Sequence, residues 1–385
     1  MGSRVILAVA GSGKTYSICH EVPECGKTLI LAFTHSNVNN IARELASSWK
    51  CRFGQPVPET VRVMTFDSFV YRYAVAPYVK TISKHFGVPL SRLRGITLKD
   101  PPVLKRMFGG RPVIKPQYPK DDILHYIDKN GDFYVANLCE LVMTVKKGRD
   151  SLVKKISSAV SLFWNRVFVD EFQDFRQHDY GFLIEIAKKT GRLTMVGDYY
   201  QHSVLAEKVS GKPFKGKKGE VSYGEFIEIL RGQKIEVDVK TLNSSRRCPE
   251  CVCSFVHARL GIAMTSSSSV LGFVRVLDAE SVDKVMRDDT IVKLVWQNAK
   301  KKPYRANNWS YSKGDTYEKV CVILTEKTDS ITESMLDIGV GAVVRNRLYV
   351  ALTRASSELY ILPSGVHSCW EKATKHPVCN SNTLL

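Results

Sequence analysis

The sequence predicts an α/β protein with parallel sheets, and two observations support this prediction. Aliphatic and β-branched runs that fit buried strands lie at residues 5–10, 29–33 and 61–65, and the residues between the last two have helical spacing. After an interruption, the same strand pattern returns at residues 167–169 and 193–197. Strands that alternate with helices in this rhythm are typical of a parallel sheet with helical crossovers.

The length and composition describe a globular protein with a polyanionic partner. A chain of 385 residues is expected to form two or three domains with a large core. No apolar run is long enough to span a membrane and no signal peptide is evident, so we expect no membrane partner and a cytoplasmic location. Ten cysteines without a secretory signal indicate reduced thiols. The net charge of +18 favours a nucleic-acid partner.

The strand and helix rhythm stops and restarts, which predicts three regions. Residues 1–70 and 151–235 form the first α/β domain, residues 71–150 form a mainly helical insertion in it, and residues 236–385 form a second α/β domain. Prolines and glycines break the rhythm in the insertion, and basic residues gather there and just beyond it. These basic residues are Lys99, Lys105, Arg106, Arg111, Lys115, Lys120, Lys146, Lys147, Arg149, Lys154 and Lys155. Their recurrence predicts a basic surface that tracks nucleic acid.

A glycine-rich loop after the first strand predicts a phosphate-binding site. The loop residues expected to bind the nucleotide are Ala10, Gly11, Ser12, Gly13, Lys14 and Thr15. Glycines let the backbone turn tightly and aim its N–H groups at phosphate, and the following helix adds a favourable dipole. In this pattern the lysine reaches the β- and γ-phosphates, and the threonine hydroxyl can ligate Mg²⁺.

Two later strands end in polar residues suited to phosphate chemistry. The run at 167–169 is followed by Asp170 and Glu171. We expect Asp170 to hold Mg²⁺ with Thr15, and Glu171 to polarise the attacking water. The run at 193–197 leads to Gln201, which could contact the γ-phosphate or the water and so report hydrolysis.

Taken together, eight segments resemble the ordered motifs of the superfamily 1 helicases, closest to the UvrD/PcrA/Rep-like branch. They lie at residues 8–15, 32–35, 65–69, 170–174, 197–201, 242–247, 312–316 and 349–355. The set covers nearly the whole chain in the right order. The most specific members are Asp170-Glu171-Phe-Gln173-Asp174, which resembles the DExQD motif, and the segment 349–355, which resembles motif VI.

The resemblance implies two RecA-like P-loop NTPase domains with ATP and Mg²⁺ in the cleft between them. It assigns catalytic roles to Lys14, Glu171, Gln201, Arg247 and Arg354, the two arginines acting as arginine fingers. It adds Arg246, Gly314 and Thr316 to the nucleotide contacts. It places six residues against single-stranded nucleic acid: Phe33, Thr34, His35, Thr65, Phe66 and Ser310.

The chain departs from that branch in ways that suggest a compact form. Only four residues precede Val5, so the upstream glutamine motif that reads adenine is missing, and ATP is inferred rather than read. Arg246 aligns with the tyrosine that stacks on the base in relatives, and Thr316 aligns with a glutamate. The stretch from Arg247 to Trp309 is too short for the large second insertion. Compact helicases of phages, viruses and anti-phage systems such as Gabija have this character.

Three functions follow from this reading. The first is an ATP-dependent translocase or helicase on single-stranded DNA, in repair or replication, with 3′-to-5′ polarity implied by the resemblance. The second is a viral-type replicative RNA helicase, which the Arg247-Cys248-Pro249 sequence and the compact size suit. The third is a regulatory module that binds ATP and nucleic acid inside a larger nuclease, replication or defence complex.

Two cysteine-containing clusters raise the question of zinc. Cys248, Cys251 and Cys253 have knuckle-like spacing, and His367, Cys369, His376 and Cys379 gather near the C-terminus. A small buried apolar role is the favoured interpretation for the first cluster.

Overall fold

The structure is a computed structural model that describes residues 2–108, 111–147, 150–202, 211–216 and 219–375. The chain forms two compact units. The first comprises Met1–Ile6, Thr15–Gly197 and Ser210–Asp238, and the second comprises Leu7–Lys14, Asp198–Val209 and Val239–Leu385. Each unit is an α/β structure built on a parallel sheet, as the sequence predicts.

Strands β1 to β14 lie between the N-terminus and residue 238. They are β1 (Arg4–Leu7), β2 (Thr28–Ala32), β3 (Val61–Thr65), β4 (Ile96–Thr97), β5 (Val103–Phe108), β6 (Arg111–Pro116), β7 (Phe133–Tyr134), β8 (Lys146–Lys147), β9 (Asp150–Ser151), β10 (Arg166–Val169), β11 (Leu193–Gly197), β12 (Lys215–Gly216), β13 (Gly219–Glu220) and β14 (Glu236–Asp238). The six-stranded sheet has the order β14-β1-β11-β10-β2-β3. The pairs β1–β14, β10–β11, β2–β10 and β2–β3 are parallel.

Among the described residues, α-helices accompany these strands. They are α1 (Lys14–Glu21), α2 (His35–Phe53), α3 (Phe66–Phe69), α4 (Val79–Phe86), α5 (Leu138–Thr144), α6 (Leu152–Phe163), α7 (Gln177–Thr190) and α8 (Tyr223–Gly232). A π-helical segment spans Val70–Val75. Short 3₁₀ turns lie at Ala76–Tyr78, Leu90–Arg92, Ile123–His125, Val135–Asn137, Phe172–Asp174 and Tyr199–Gln201.

Strand β2 shows why the central strands appear in the sequence as runs of apolar residues. All five of its residues are buried, because the sheet is covered on both faces. The chain then turns at Thr34, whose side chain caps α2, and α2 ends at Gly54 with a left-handed φ of 68°. The carboxyl ends of parallel strands meet at one edge of a sheet. The residues that follow β2, β3 and β10 therefore share that edge.

The region predicted as a mainly helical insertion contains the helices α4 and α5 and also an antiparallel hairpin that the sequence analysis missed. Strands β5 and β6 pair from Val103↔Pro116 to Phe108↔Arg111. Their two six-residue runs flank the Gly109-Gly110 dipeptide, which is a hairpin signal. Gly109, Gly110 and Arg149 lie outside the described residues.

The second unit contains a five-stranded parallel sheet of order β17-β21-β20-β18-β19. The strands are β15 (Ser244–Ser245), β16 (Thr265–Ser266), β17 (Phe273–Val276), β18 (Val292–Val295), β19 (Ala306–Asn308), β20 (Tyr317–Ile323) and β21 (Ala355–Leu362). The helices are α9 (Glu250–Leu260), α10 (Val282–Arg287), α11 (Ala342–Leu352) and α12 (Ser364–Lys375). Further 3₁₀ turns span Ala299–Lys301, Ser310–Ser312 and Glu326–Thr332.

The core of the second unit includes the start of the glycine-rich loop. Val9 and Ala10 pack with residues of α9, α11 and the sheet. This packing groups residues 7–14 with the second unit, and the pairing of β14 with β1 keeps residues 236–238 in the first. The predicted boundaries after residues 70, 150 and 235 remain predictions. No helix in the described part of the chain is both long and apolar enough to cross a membrane.

The end of β11 gives a test of packing in the first unit. A Cβ atom on Gly197 would lie 2.5 Å from Oε1 and 3.0 Å from the backbone N of Gln173. We therefore expect Gly197→Ala to lower the free energy of unfolding by about 1–3 kcal/mol through overpacking. Urea denaturation measures the change. Gly224→Ala in α8 is the control, because nothing lies within 4 Å of its added Cβ. Equal stability of the two variants would contradict this account.

Candidate functional site

The phosphate loop has the backbone conformation that its glycines allow. Gly11 and Gly13 have left-handed φ angles of 72° and 84°, which side chains other than glycine rarely adopt. A Cβ on Gly11 would also lie 2.6 Å from the Ser245 Oγ and 2.7 Å from the Arg247 Cβ. Glycine is therefore required at position 11 both by conformation and by space.

Other segments of the second unit hold this loop in place. The Val9 N–H donates to the Leu242 carbonyl at 2.9 Å, and the Arg246 N–H donates to the Gly11 carbonyl at 2.9 Å. The Ala10 N–H donates to the Tyr349 hydroxyl at 2.8 Å. The loop is thus fixed against the segment 242–247, which resembles motif IV of the helicases, and the segment 349–355, which resembles motif VI.

Tyr349 also connects the loop to the predicted sensor. Its hydroxyl donates to Asp198 Oδ2 at 3.2 Å, and the Gln201 side-chain amide donates to the same oxygen at 2.8 Å. Asp198 is completely buried, and its other oxygen accepts from the Tyr200 N–H at 3.0 Å. A buried carboxylate with several donors fixes each donor in one position. Gln201 is therefore held by the same group that braces the loop.

The two predicted arginine fingers differ in their surroundings. Arg354 is 2% exposed and donates to backbone carbonyls, from Nε to Val350 at 2.8 Å and from Nη1 to Asp315 at 3.1 Å. Burial, and then the nearby charge of Arg247, lower the pKa of Arg354 from its ordinary value. Arg247 is half-buried, and its Nη1 donates to the Thr353 carbonyl at 3.3 Å. Two neighbouring cations in a partly desolvated place favour an anion between or beside them.

The remaining predicted nucleotide contacts lie at different distances from the loop. Arg246 is exposed, and its Cδ would be 3.6 Å from a Cβ on Gly13, so this side chain lies over the loop. Lys14 is half-buried. Gly314 and Thr316 are exposed, and among the described residues neither makes a hydrogen bond to the loop.

In the first unit, the predicted Mg²⁺ ligands are neighbours. The Thr15 hydroxyl donates to Asp170 Oδ2 at 3.3 Å, and Asp170 is 3% exposed. The other Asp170 oxygen accepts from the Glu171 N–H at 2.9 Å. A hydroxyl and a buried carboxylate are oxygen donors of the kind that Mg²⁺ prefers, so these residues fit that ion.

Glu171 is held in an uncommon conformation. Its φ of 53° is left-handed, and its carboxylate accepts a hydrogen bond from the Gln173 amide. A non-glycine residue in this region costs free energy and persists only where the surroundings fix it. The close approach of Gly197 to Gln173 supplies part of that constraint.

The candidate nucleic-acid residues of the first unit divide into exposed and buried members. Phe33 is 41% exposed and lies edge-on to Phe175, with 5.5 Å between ring centroids. His35 is exposed, and Thr34 is half-buried as the cap of α2. By contrast, Phe66 is 2% exposed and packs on Phe175 at 4.8 Å. The burial of the Phe66 ring favours a core role, and its contact with a base stays a prediction.

Thr65 and Ser310 are also largely buried. The Thr65 hydroxyl caps α3 by accepting from the Ser68 N–H at 3.3 Å. Ser310 is buried in the second unit, whereas its neighbour Tyr311 is 74% exposed. Tyr311 is an exposed aromatic residue that directly precedes the segment 312–316, and this position was its signal in the sequence.

Sequence reasoning also overlooked the groups that support the site. Tyr349 and Asn346 lie on α11, and the Asn346 amide donates to the His202 carbonyl at 2.9 Å. Both residues are completely buried. The sequence offered little signal for them, because α11 also carries Arg345 and Arg347, and only burial distinguishes Asn346 and Tyr349 as polar groups that need partners.

The cysteines near the motif IV segment belong to the core. Cys248 and Cys253 are buried, and burial raises the pKa of Cys253 to about 12. The described residues contain no group of three or more potential metal ligands. His376 and Cys379 lie outside the described residues.

One family model matches part of this chain. Residues 122–202 match the model of the UvrD/REP helicase N-terminal domain. The matched range contains Asp170, Glu171 and Gln201. Among curated proteins, no match was found.

Three solved helicase structures are similar to the chain at low identity. Arterivirus nonstructural protein 10 is 13% identical with a TM-score of 0.46, and the similarity covers 94% of this chain and 59% of that chain. The same helicase in complex with DNA is 14% identical with a TM-score of 0.45, and the similarity covers 93% of this chain and 60% of that chain. The PRRSV helicase is 15% identical with a TM-score of 0.43, and the similarity covers 94% of this chain and 52% of that chain. This chain spans less than two thirds of the length of each.

The family match includes the Asp170-Glu171 pair, one of the two most specific motifs in the sequence. The resemblance of this chain to the superfamily 1 helicases of the UvrD/Rep type is therefore confirmed over residues 122–202.

Proposed function

We propose that this chain is an ATP-dependent translocase or helicase that acts on single-stranded DNA with 3′-to-5′ polarity. One observation carries the proposal: a phosphate loop with two left-handed glycines lies directly against Ser245 and Arg247. Exposed backbone N–H groups beside guanidinium groups suit a nucleoside triphosphate. The buried Ser12 hydroxyl, which has no hydrogen-bond partner in the described part of the chain, also suits a ligand oxygen.

The phosphates would be bound by the loop and by arginines of the second unit. Gly11, Gly13 and Lys14 would supply backbone N–H groups and Lys14 its ammonium, and Arg246 lies over Gly13. The Ala10 N–H is bonded to the Tyr349 hydroxyl, so Ala10 would support the loop from behind. Arg247 would stabilise charge on the transferring phosphoryl group. Arg354 would contribute its charge from its buried position, and a direct phosphate contact would require it to release carbonyl partners.

The carboxylates of the first unit would bind the metal ion and orient the attacking water. Thr15 and Asp170 would hold Mg²⁺, which neutralises phosphate charge when it is bound. Glu171 would orient and polarise the attacking water, since its backbone conformation and its bond from Gln173 fix the carboxylate. Gln201 would sense the γ-phosphate through the shared bonds to Asp198.

Single-stranded nucleic acid would contact Phe33, Thr34 and His35 at the carboxyl edge of the first sheet. An exposed ring offers a base a stacking face, and exposed polar groups can bind phosphates. The net charge of +18 supports a polyanionic partner. Thr65 and Ser310 would contribute backbone contacts at most, since their side chains are buried.

The catalytic assignment is tested by two substitutions. We expect Lys14→Ala and Glu171→Gln each to lower ATP turnover in saturating single-stranded DNA by about 100-fold or more, because each removes a group that acts in the transition state. Phosphate release measures turnover. Lys50→Ala and Glu59→Gln change exposed residues outside the motifs and serve as matched controls. Turnover that survives both motif substitutions would refute the assignment.

The ATP-turnover assay and a strand-displacement assay together distinguish the three candidate functions. Stronger stimulation by DNA than by RNA supports the proposal, and the reverse supports a replicative RNA helicase. A strand-displacement assay on the isolated chain distinguishes a motor from a regulatory module, which would bind ATP and nucleic acid without unwinding. A nuclease or replication partner would then be sought for that module.

The Tyr349 hydroxyl gives a prediction specific to this structure. We expect Tyr349→Phe to destabilise the protein by about 1–3 kcal/mol, since it leaves the Ala10 N–H without its buried acceptor. We also expect turnover at saturating ATP to fall, because the loop and Gln201 lose their common anchor.

Tyr304→Phe is the matched control for this prediction. It removes a hydroxyl bonded to His367 at 2.8 Å in the same unit but outside the loop network. Thermal melting and steady-state ATP turnover are measured for both variants. If turnover falls equally in both, the Tyr349 hydroxyl has no special role in the site.

A further inference from the structure

A cavity of about 740 Å³ in the first unit is lined by basic side chains. We name it the lysine basin. Its polar lining includes Lys80, Lys84, His85, Lys146, Ser151 and Lys155. These residues lie in or beside the insertion and belong to none of the motifs described above.

Three segments bring these side chains together. Helix α4 carries Lys80 and Lys84 one turn apart, and its buried residue is Ile82. Strand β8 supplies Lys146, and helix α6 begins beside it. The Leu152 N–H donates to the Val145 carbonyl at 3.0 Å, which fixes the start of α6 against the segment before β8. The basin is therefore a feature of the fold and not of one loop.

The described side chains that line the basin carry charges of one sign. Among them none is acidic. Among the described side chains, no carboxylate forms an ion pair with Lys80, Lys84 or Lys146. Like charges four residues apart on a helix repel each other and destabilise it. A cluster of this kind is stabilised when an anion enters it.

The chemistry of the lining defines the class of anion. Lysine ammonium groups are mobile point charges that neutralise phosphates without reading their geometry. Apart from the His85 imidazole, none of the described residues that line the basin is aromatic, so these residues give bases little to stack on. The basin thus suits a phosphodiester backbone whose bases point elsewhere. Phe33, the exposed ring proposed to stack a base, does not line it.

We infer that the lysine basin is a second nucleic-acid site, which binds the phosphodiester backbone without sequence preference. The inference rests on the proposed nucleic-acid function and extends it to a part of the chain outside the motifs. Either a single strand or a duplex could supply the backbone, and the experiment uses both.

The test is the triple variant Lys80→Gln/Lys84→Gln/Lys146→Gln. Fluorescence anisotropy measures its binding to a labelled single strand and to a duplex of equal length over a range of salt concentrations. For whichever form occupies the basin, we expect affinity to fall by about tenfold or more. We also expect the salt dependence of log K to become shallower by roughly 0.7 to 0.9 per lost contact.

Two further variants make the outcome decisive. Lys50→Gln/Lys129→Gln/Lys234→Gln changes the charge equally at exposed lysines outside the basin and is expected to bind almost normally. Lys80→Arg/Lys84→Arg/Lys146→Arg keeps the charge and is expected to retain affinity. Circular dichroism checks that each variant folds.

Equal losses in the basin variant and the exposed-lysine variant would overturn the inference, because net charge alone would then explain both. Unchanged affinity of the basin variant for both DNA forms would overturn it as well. Either result would leave the proposed function standing. Failure of the unmodified protein to bind any nucleic acid would overturn both.

Discussion

The hydroxyl of Tyr349 is the contact on which the arrangement of the second unit's site depends. It accepts from the phosphate loop and donates to a fully buried carboxylate, so it must have a single orientation. The same carboxylate fixes Gln201. Asn346, one turn earlier on α11, binds the backbone after that glutamine. One helix thereby positions the loop that would hold phosphates and the residue that would detect them.

Conformational constraint recurs in the first unit in a different form. There the special position is Glu171, whose left-handed backbone is maintained by neighbouring packing rather than by glycine. Gln173 binds the Glu171 carboxylate and lies so close to Gly197 that no side chain fits at that position. The groups proposed to act in each unit are thus held by contacts within the protein, and electrostatic stabilisation of a transition state requires such preorganisation.

Features that depend on local chemistry could be predicted from the sequence, and those that depend on distant contacts could not. The glycines at positions 11 and 13 predict the left-handed backbone angles of the loop. An apolar strand followed by Asp170 predicts a carboxylate at the end of that strand. The exposure of Phe33 and the burial of Phe66 are not distinguishable locally, because each directly follows a strand. Both rings contact Phe175, and only Phe66 also packs on Phe182. The hairpin formed by β5 and β6 could be predicted locally, because two six-residue segments flank a Gly-Gly dipeptide.

The central claim is that nucleotide chemistry and nucleic-acid binding are coupled in this chain, and binding measured in different nucleotide states tests it most directly. The affinity for single-stranded DNA is measured by anisotropy with no nucleotide, with ADP and with a non-hydrolysable ATP analogue. Our account predicts that these affinities differ by about fivefold or more, the usual lower range of coupling between linked sites. Equal affinities in all three states would contradict it, because a motor must bind its track differently as the nucleotide changes.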